Sequence, residues 1–398
     1  MATPDLIRPI PSHRWEVFCT VVDNYGDIGV CWRLARQLVQ DYGQQVRLWV
    51  DDLAAFARLE PTLDPSLPEQ SLAGVRICHW PRGDAPFPLP AELGDIVIEA
   101  FACPLPEAVE AAMARQSPPP VWLNLEYLSA EAWVEDCHLM VSRHPRWNLD
   151  KHFFFPGFTL RTGGLLREQG LLTARQHFQA PQAGERDAFL AGLGVTLAPG
   201  ERLVSLFAYA TPILGELFQV LAMDSAQPTR LLLLDRPAQE AARAWSGQPL
   251  PLGVPYRQGA LTVQPLPFLR QADFDRLLWS CDLNLVRGED SFVRAQWAGR
   301  PFVWLIYPQD EQAHLTKLKA FLQRYSEGLP ADAAVALNDF WLHWNGALGQ
   351  GADLARDWAA LQAQLPTLRH HAEAWCATLA EQENLAGALV RFCANRLK

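Results

Sequence analysis

The chain lacks the segments that place a protein in or across a membrane. Its 398 residues contain no apolar run long enough to span a bilayer. The first residues, MATPDLIRPIPSHR, lack the apolar stretch of a secretory signal peptide. We therefore expect a cytoplasmic protein without a membrane partner.

The chain also lacks the usual patterns that hold metals or disulfides. Its eight cysteines are scattered with no C-x-x-C pair, so neither a zinc site nor a disulfide framework is expected. Most of them should be small buried apolar residues. No D-x-D pair stands at a strand end to hold a metal ion beside a diphosphate. We expect no metal and no cofactor.

Positive charge is in short supply. Lys and Arg number 34 against 44 Asp and Glu, a formal net charge of -10, which argues against general nucleic-acid binding because that requires a basic face. An acidic surface suits a cationic partner better, although solubility alone also explains it. Apolar residues make up 49% and charged residues 20% of the chain, as is typical of globular proteins, and the length predicts two domains.

The most informative segment present is VVDNYGDIGVCWRLARQL, residues 21–38. An apolar strand, 15–22, leads through a turn containing Gly26 into a helix with apolar residues at helical spacing. In an open α/β sheet, ligands bind at such a strand end. The dinucleotide fingerprint G-x-G-x-x-G is absent because Asn24 stands at its first glycine, and Asp27 would repel a pyrophosphate.

Two carboxylates, Asp23 and Asp27, flank Gly26 in this turn. A single Asp at a helix start is usually a cap that interacts favourably with the helix dipole. From this segment alone, capping and chemistry both stay open. Asn24 and Tyr25 lie in the same turn, and we assign them with Gly26 to substrate binding.

Predicted strands and helices alternate through both halves of the chain, as in parallel α/β folds. Strands are predicted at 15–22, 45–50, 74–80, 95–101, 121–128, 202–209, 230–235, 261–269, 282–286 and 301–308. We expect an α/β fold of two Rossmann-like domains facing a cleft, at 1–170 and 201–352, joined by a linker at 171–200. The helices of 353–398 are expected to pack back on the first domain.

The second informative segment is RGEDSFVRAQWAGRPFVW, residues 287–304. A strand ends just before Arg287, Arg287 and Gly288 form a turn, and a helix begins near Asp290 or Ser291. The first amides of the helix and one fixed cation thus converge on a point, which predicts an anion site.

Three side chains of this segment have expected roles in that site. Arg287 can offer a planar fork to phosphate oxygens, and Ser291 can add a hydroxyl. Glu289 would repel a diphosphate unless it accepts hydrogen bonds from sugar hydroxyls or braces Arg287. The alternative is a plain helix cap with a salt bridge.

Aromatic residues stand at successive strand ends of the second half, Phe207 and Tyr209 at one and Phe268 at another, the latter with Gln264 and Pro267 nearby. Such groups can sandwich a nucleobase while an amide binds its edge. Each residue alone is more often part of a core. Together they predict a nucleotide pocket.

Four segments resemble the EarP family, bacterial protein-arginine rhamnosyltransferases that modify elongation factor P. They are DNYGDIGVCWRLARQL, WLNLEYLSAE, FFFPGF followed by TGGL, and RGEDSFVRAQWAGRPFVW followed by YPQ. The resemblance covers nearly the whole chain, and motifs of this length are far more specific than a short pattern.

The resemblance implies a GT-B glycosyltransferase fold, with the acceptor protein held by the N-terminal half and dTDP-β-L-rhamnose held mainly by the C-terminal half. It implies inverting transfer of L-rhamnose to one arginine of elongation factor P, which activates that factor for translation of polyproline stretches. It places paired catalytic acids on Asp23 and Asp27 and a third catalytic acid on Glu289. The nucleotide-contacting positions that it implies are Tyr209, Gln264, Phe268, Arg287, Asp290 and Ser291.

Two other classes of function stay open. One is a GT-B glycosyltransferase with a small-molecule or lipid acceptor. The other is a non-catalytic nucleotide-sugar-binding protein, in which Asp23 and Asp27 are structural caps. Trp122, Asn124 and Tyr127 lie in a family-like segment of the acceptor half, yet core packing explains Trp122 and Tyr127 equally well.

Overall fold

The structure is a computed structural model that divides into two compact units. The first unit contains 1–169 and 382–398, and the second contains 170–381. The described residues are 11–22, 25–83, 85–309, 312–348 and 352–397.

The first unit is built around a mainly parallel sheet. Its elements up to residue 169 are β1 Arg14–Cys19, α1 Gly26–Gln40, β2 Gln45–Val50, α2 Leu53–Leu59, β3 Glu69–Leu72, β4 Val75–His79, β5 Ile96–Ala100, α3 Glu107–Arg115, β6 Val121–Leu125, α4 Trp133–Cys137, β7 Val141–Arg143 and β8 Asp150–Phe154. The strand order is β3-β4-β2-β1-β5-β6-β8-β7. Only β3 and β7, the two end strands among the described residues, run antiparallel to their neighbours.

The centre of this sheet is buried on both faces, which explains the nearly continuous apolar strands. From β1, Trp15 and Val17 pack in one buried cluster with residues of α1, whereas Phe18 packs in a second cluster. Phe18 stacks on Trp49 of β2 with ring centroids 5.9 Å apart. Trp122 is 1% exposed, so it belongs to the core of this unit.

The second unit repeats the architecture. Its elements are α5 Leu171–Gln179, α6 Glu185–Gly192, β9 Arg202–Leu206, α7 Ile213–Met223, β10 Thr229–Leu233, α8 Arg236–Ser246, β11 Tyr256–Gln258, β12 Leu261–Pro265, α9 Gln271–Ser280, β13 Leu283–Arg287, α10 Asp290–Trp297, β14 Phe302–Leu305, α11 Ala313–Tyr325, α12 Ala331–Trp344 and α13 Leu354–Ala380. The strand order is β11-β12-β10-β9-β13-β14, and β11 runs antiparallel to β12.

The chain is partitioned differently from the expected domain boundaries. The expected linker 171–200 contains α5 and α6, which belong to the second unit. Gln179 of α5 donates hydrogen bonds to the carbonyls of Trp279 and Ala298, at 3.1 and 3.2 Å. These helices are short and mostly polar, and each packs through a single buried apolar side chain, such as Phe178 in α5. A mostly polar sequence does not reveal such a contact.

The tail 353–398 is helical as predicted, but its two helices separate. The long α13 belongs to the second unit, and only the last helix, α14 Leu385–Arg396, belongs to the first. The Leu385 N–H donates to the Leu165 carbonyl at 3.0 Å. Of the two tail helices, α14 therefore belongs to the first unit and α13 to the second.

Two expectations drawn from missing patterns can be compared with the structure. All eight cysteines are free, and all but the half-buried Cys137 are buried, which confirms their interpretation as small core residues. Among the described residues, no helix is both long and apolar enough to cross a membrane.

Candidate active site

Asp27 lies at the carboxyl end of β1, near the centre of the first sheet. It stands in the first turn of α1 and is 2% exposed. One carboxylate oxygen accepts from the Val22 N–H at 2.8 Å, and the other accepts from the Tyr127 hydroxyl at 3.2 Å. The fold therefore fixes the direction of both oxygens before any ligand binds.

Asp27 is not the N-cap residue of α1. Tyr25 occupies the N-cap position of α1 and makes no side-chain cap hydrogen bond, and the amide that Asp27 accepts belongs to Val22, which precedes the helix. Gly26 is the first residue of α1, and the Tyr25 hydroxyl accepts from Arg58 at 3.4 Å. The predicted site residues Asp23 and Asn24 lie outside the described residues.

The neighbouring strand ends supply a strained turn and an aromatic pair. Phe101 and Ala102, after β5, have φ values of 59° and 54°, in the left-handed region that non-glycine residues seldom occupy and that is frequent at functional sites. Asn124 holds this turn by accepting from the Ala102 N–H at 3.1 Å. The Phe101 and Tyr127 rings stack at 4.5 Å. Tyr127 is thus a partly exposed ring bonded to Asp27, not a core residue.

In the second unit, Arg287 ends β13 and is held on three sides. Its guanidinium carbon lies 4.4 Å from the ring centroids of both Phe207 and Tyr209. Its Nε donates to Asp235 at 3.3 Å. Arg287 is buried, so the predicted cation is present but packed between aromatic rings.

Asp235 is the residue that the sequence analysis missed in this cluster. It is the N-cap of α8 and accepts from the Ala238 and Ala208 amides at 3.2 and 3.1 Å, thereby joining the ends of neighbouring strands. Burial raises the pKa of Asp235 to about 6, although Arg287 and the two amides act to lower it. A strand ending in Asp, followed closely by Pro, was the available signal of a cap.

Gly288 forms the turn before α10, as predicted. Gly288 has a φ of 64°, a conformation that glycine adopts without strain. Its N–H donates to the Leu305 carbonyl at 3.3 Å, and its carbonyl accepts from the Trp304 indole at 2.7 Å. The N-terminus of α10, which begins at Asp290 with Glu289 as N-cap, is therefore anchored to β14.

The Ser291 hydroxyl makes different contacts from those we expected. Its hydroxyl donates to the Arg287 carbonyl and also accepts from the Arg287 N–H at 3.2 Å. It is buried. In this conformation the hydroxyl braces the turn, so any contribution to anion binding comes from the first-turn amides of α10, which have no acceptor within the helix.

Gln264 does not fit the predicted role of a nucleobase reader. It is fully buried within β12, and its amide donates to the Gly194 and Gly253 carbonyls, both at 3.0 Å. Its oxygen accepts from Arg230 at 2.9 Å. The alternation of apolar and polar residues along a strand does not reveal that this glutamine faces the interior and hydrogen-bonds two loops to the strand.

A second glutamine lies near Asp290, where the sequence analysis did not expect one. Gln271, the first residue of α9, donates to the Asp290 carboxylate at 3.4 Å. Phe268, three residues earlier, is 42% exposed, and Tyr307 is 43% exposed. The Tyr307 ring meets the Tyr209 ring edge-on at 5.3 Å. These side chains lie around the ends of β9, β12, β13 and β14, where a ligand of an α/β sheet binds.

Comparisons with known proteins identify the family of the chain. The family profile described as "Elongation-Factor P (EF-P) rhamnosyltransferase EarP" matches residues 15–394. The chain belongs to the EarP family.

Curated relatives of the EarP family match along almost their whole length. A protein-arginine rhamnosyltransferase from Pseudomonas putida is 53% identical over 384 residues, which cover 96% of this chain and 99% of the relative. One from Neisseria meningitidis serogroup B is 36% identical over 395 residues, covering 96% and 97%.

A solved structure gives the same result for the fold. It describes the structural basis for EarP-mediated arginine glycosylation of translation elongation factor EF-P, and it is 41% identical with a TM-score of 0.67, covering 96% of this chain and 99% of that one. The chain is accordingly a protein-arginine rhamnosyltransferase with a GT-B fold, as the resemblance implied. The non-catalytic and lipid-acceptor alternatives receive no support.

Proposed function

We propose that this enzyme transfers L-rhamnose from dTDP-β-L-rhamnose to an arginine side chain of elongation factor P, with inversion at the anomeric carbon. The family description names elongation factor P, and the solved relative glycosylates it. The donor follows from the resemblance of the sequence motifs. One structural observation carries the proposal: one sheet has an oriented carboxylate at its carboxyl edge, and the other has an arginine beside a helix N-terminus.

The acceptor nitrogen must be made nucleophilic without a strong base. A guanidinium has a pKa above about 12 and a carboxylic acid one near about 4, so full proton transfer before attack would cost about 11 kcal/mol. Asp27, together with Asp23, instead holds the guanidinium and localises its charge. The proton passes to one of these carboxylates as the carbon–nitrogen bond forms and the bond from the anomeric carbon to the diphosphate breaks. Positioning of this kind can lower a barrier by roughly 7 to 11 kcal/mol.

The fixed position of Asp27 supports this role. A carboxylate oriented by the Val22 amide and the Tyr127 hydroxyl does not have to reorganise when the guanidinium arrives. Its burial strengthens attraction to a cation, because the local dielectric is low.

On the donor side, Arg287 and the first-turn amides of α10 meet the charge that develops on the leaving diphosphate. Asp290, which accepts from Gln271, and Glu289 at the N-cap accept hydrogen bonds from sugar or ribose hydroxyls. The exposed ring of Phe268 and the ring of Tyr209 contact the nucleobase. No metal ion takes part in this scheme.

The test is the intact mass of elongation factor P after incubation with the enzyme and dTDP-β-L-rhamnose. We expect a gain of one deoxyhexose, located on an arginine by fragmentation and lost when that arginine is changed to lysine. Nuclear magnetic resonance of the product should show an α linkage. Consumption of the donor without any change in the mass of elongation factor P would contradict the proposed acceptor.

A further inference from the structure

Exposed apolar side chains cluster at the start of an end strand of the first sheet. All three residues of β7 are exposed, and Leu139, just before the strand, has a φ of 67°. Met140 and Val141 are 54% and 52% exposed. Exposed apolar groups at the end strand of a sheet are a liability that proteins usually cover.

Two further apolar side chains extend this area. Trp133 of α4 and Leu160 are exposed. Arg161 bonds to Glu135 and Asp136 of α4, at 3.1 and 2.6 Å, which keeps Leu160 beside that helix. We name the set the β7 surface: Trp133, Leu139, Met140, Val141 and Leu160. Exposed apolar groups gathered in this way mark interaction sites.

The backbone of β7 is open on its outer side. The Met140 carbonyl accepts from the Phe153 N–H, and the His144 N–H donates to the Leu149 carbonyl, both at 2.9 Å. Residues 140 and 144 therefore turn their backbone groups toward β8, and by the alternation of an antiparallel ladder those of Val141 and Arg143 point away from it. Within the described residues, no strand pairs with that side.

The position of this strand indicates the partner. Because β7 runs antiparallel to β8, its first residue lies at the edge of the sheet that holds the carboxyl ends of β8, β6, β5 and β1, and hence Asp27. Four strand spacings separate β7 from β1, roughly 19 Å. A free arginine cannot bridge that distance, whereas a protein that presents an arginine can.

The charged side chains beside the β7 surface pair with one another: Arg161 bonds to Glu135 and Asp136, and Arg143 bonds to Asp150. The position of the strand, and not its charge, therefore indicates the occupant. We propose that the β7 surface docks the arginine-bearing acceptor protein, which adds an extended segment to the outer side of β7. This inference rests on the proposed function, and it explains how the enzyme selects a protein over a free amino acid.

The first test compares Val141→Pro with Val141→Thr, using elongation factor P as acceptor. Proline removes the outward N–H but is tolerated at a sheet edge, whereas threonine keeps the N–H. We expect KM for elongation factor P to rise about 5-fold or more in Val141→Pro, the loss of about one hydrogen bond, and to rise much less in Val141→Thr. The melting temperature of each variant serves as the folding control.

A second pair tests the apolar side chains without touching the backbone. Met140→Lys should raise the same KM, whereas Met223→Lys, at an exposed methionine at the end of α7, should not. Unchanged KM in both Val141→Pro and Met140→Lys overturns the inference, provided that the wild type modifies elongation factor P. A wild type that does not modify it refutes the proposed function instead. Sedimentation of the wild type and of Val141→Pro tests for self-association. If the wild type is a dimer and Val141→Pro is a monomer, the β7 surface binds a second copy of the chain, and the inference is overturned.

Discussion

Arg287 illustrates how a single residue can be prepared for an anion. Its guanidinium lies between the rings of Phe207 and Tyr209 and bonds to Asp235. The sequence indicates the arginine and the glycine that follows it, because the strand-turn-helix pattern is local. It does not indicate Asp235, which comes from another strand and reaches Arg287 only in the folded sheet.

Asp235 gives a prediction about pH. Its pKa of about 6 in the folded protein exceeds that of an unfolded aspartate, near about 4, so the folded state binds the proton more tightly. The favourable contribution of Asp235 to the free energy of unfolding is therefore complete below about pH 4 and is lost as the pH rises through about 6. Asp235→Asn, which cannot ionise and keeps an oxygen for the two amides, should flatten this decrease.

Urea unfolding of the wild type and Asp235→Asn between about pH 4.5 and pH 7 measures the effect. The difference amounts to at most about 3 kcal/mol across the window, from a shift of about two pKa units. Parallel pH profiles for the two proteins would show that Asp235 ionises normally in the folded state.

At the level of elements, the sequence predicted the central strands better than the edges. Each predicted strand corresponds to an observed one, as with residues 45–50 and β2 Gln45–Val50. The strands β3, β7, β8 and β11 were not predicted, since they are partly exposed and short of apolar residues at alternate positions. The sequence also did not show that the two tail helices belong to different units, because helical periodicity does not indicate which part of the protein a helix packs against.

A buried ion pair joins α10 to α9. It thereby also fixes the position of Gln271, the first residue of α9, relative to Asp290, the first residue of α10. Arg294 donates two hydrogen bonds to Asp275, at 2.9 and 2.7 Å, and both side chains are buried. Arg294→Met removes a charged partner of the buried Asp275 carboxylate and should cost about 3 to 5 kcal/mol of unfolding free energy. Urea denaturation measures this loss.

The matched control is the double variant Arg294→Met, Asp275→Leu. Because it removes both charges, it should regain most of the stability lost in the single variant. A double variant as unstable as the single one would mean that packing volume, not the buried charge, determines the effect.

At the scale of the whole molecule, the long motifs and their resemblance predicted the GT-B fold and the rhamnosyltransferase class, both of which the comparisons support. The candidate site was predicted less completely: Asp27 and Arg287 occupy suitable positions, whereas Gln264 is buried and Ser291 braces its own turn. Neither set of contacts could be predicted, because the sequence does not reveal which way a side chain turns.

The enzyme as a whole should act without a metal ion. The proposed scheme assigns the negative charge of the leaving diphosphate to Arg287 and the amides of α10. Rhamnosylation of elongation factor P should therefore proceed at an unchanged rate in an excess of EDTA. A loss of activity that added magnesium restores would refute this part of the account.

The most direct test of the central claim concerns Asp27. In Asp27→Asn, we expect calorimetry to show unchanged affinity for dTDP, while single-turnover transfer to elongation factor P falls by about 10²- to 10⁴-fold, as for loss of a positioned acid–base group. Tyr127→Phe removes one hydrogen bond to Asp27 and leaves that from the Val22 amide, so it should slow transfer much less. If Asp27→Asn instead lost affinity for dTDP and transferred rhamnose at the wild-type rate, the assignment of the first unit's carboxylate to the acceptor arginine would be wrong.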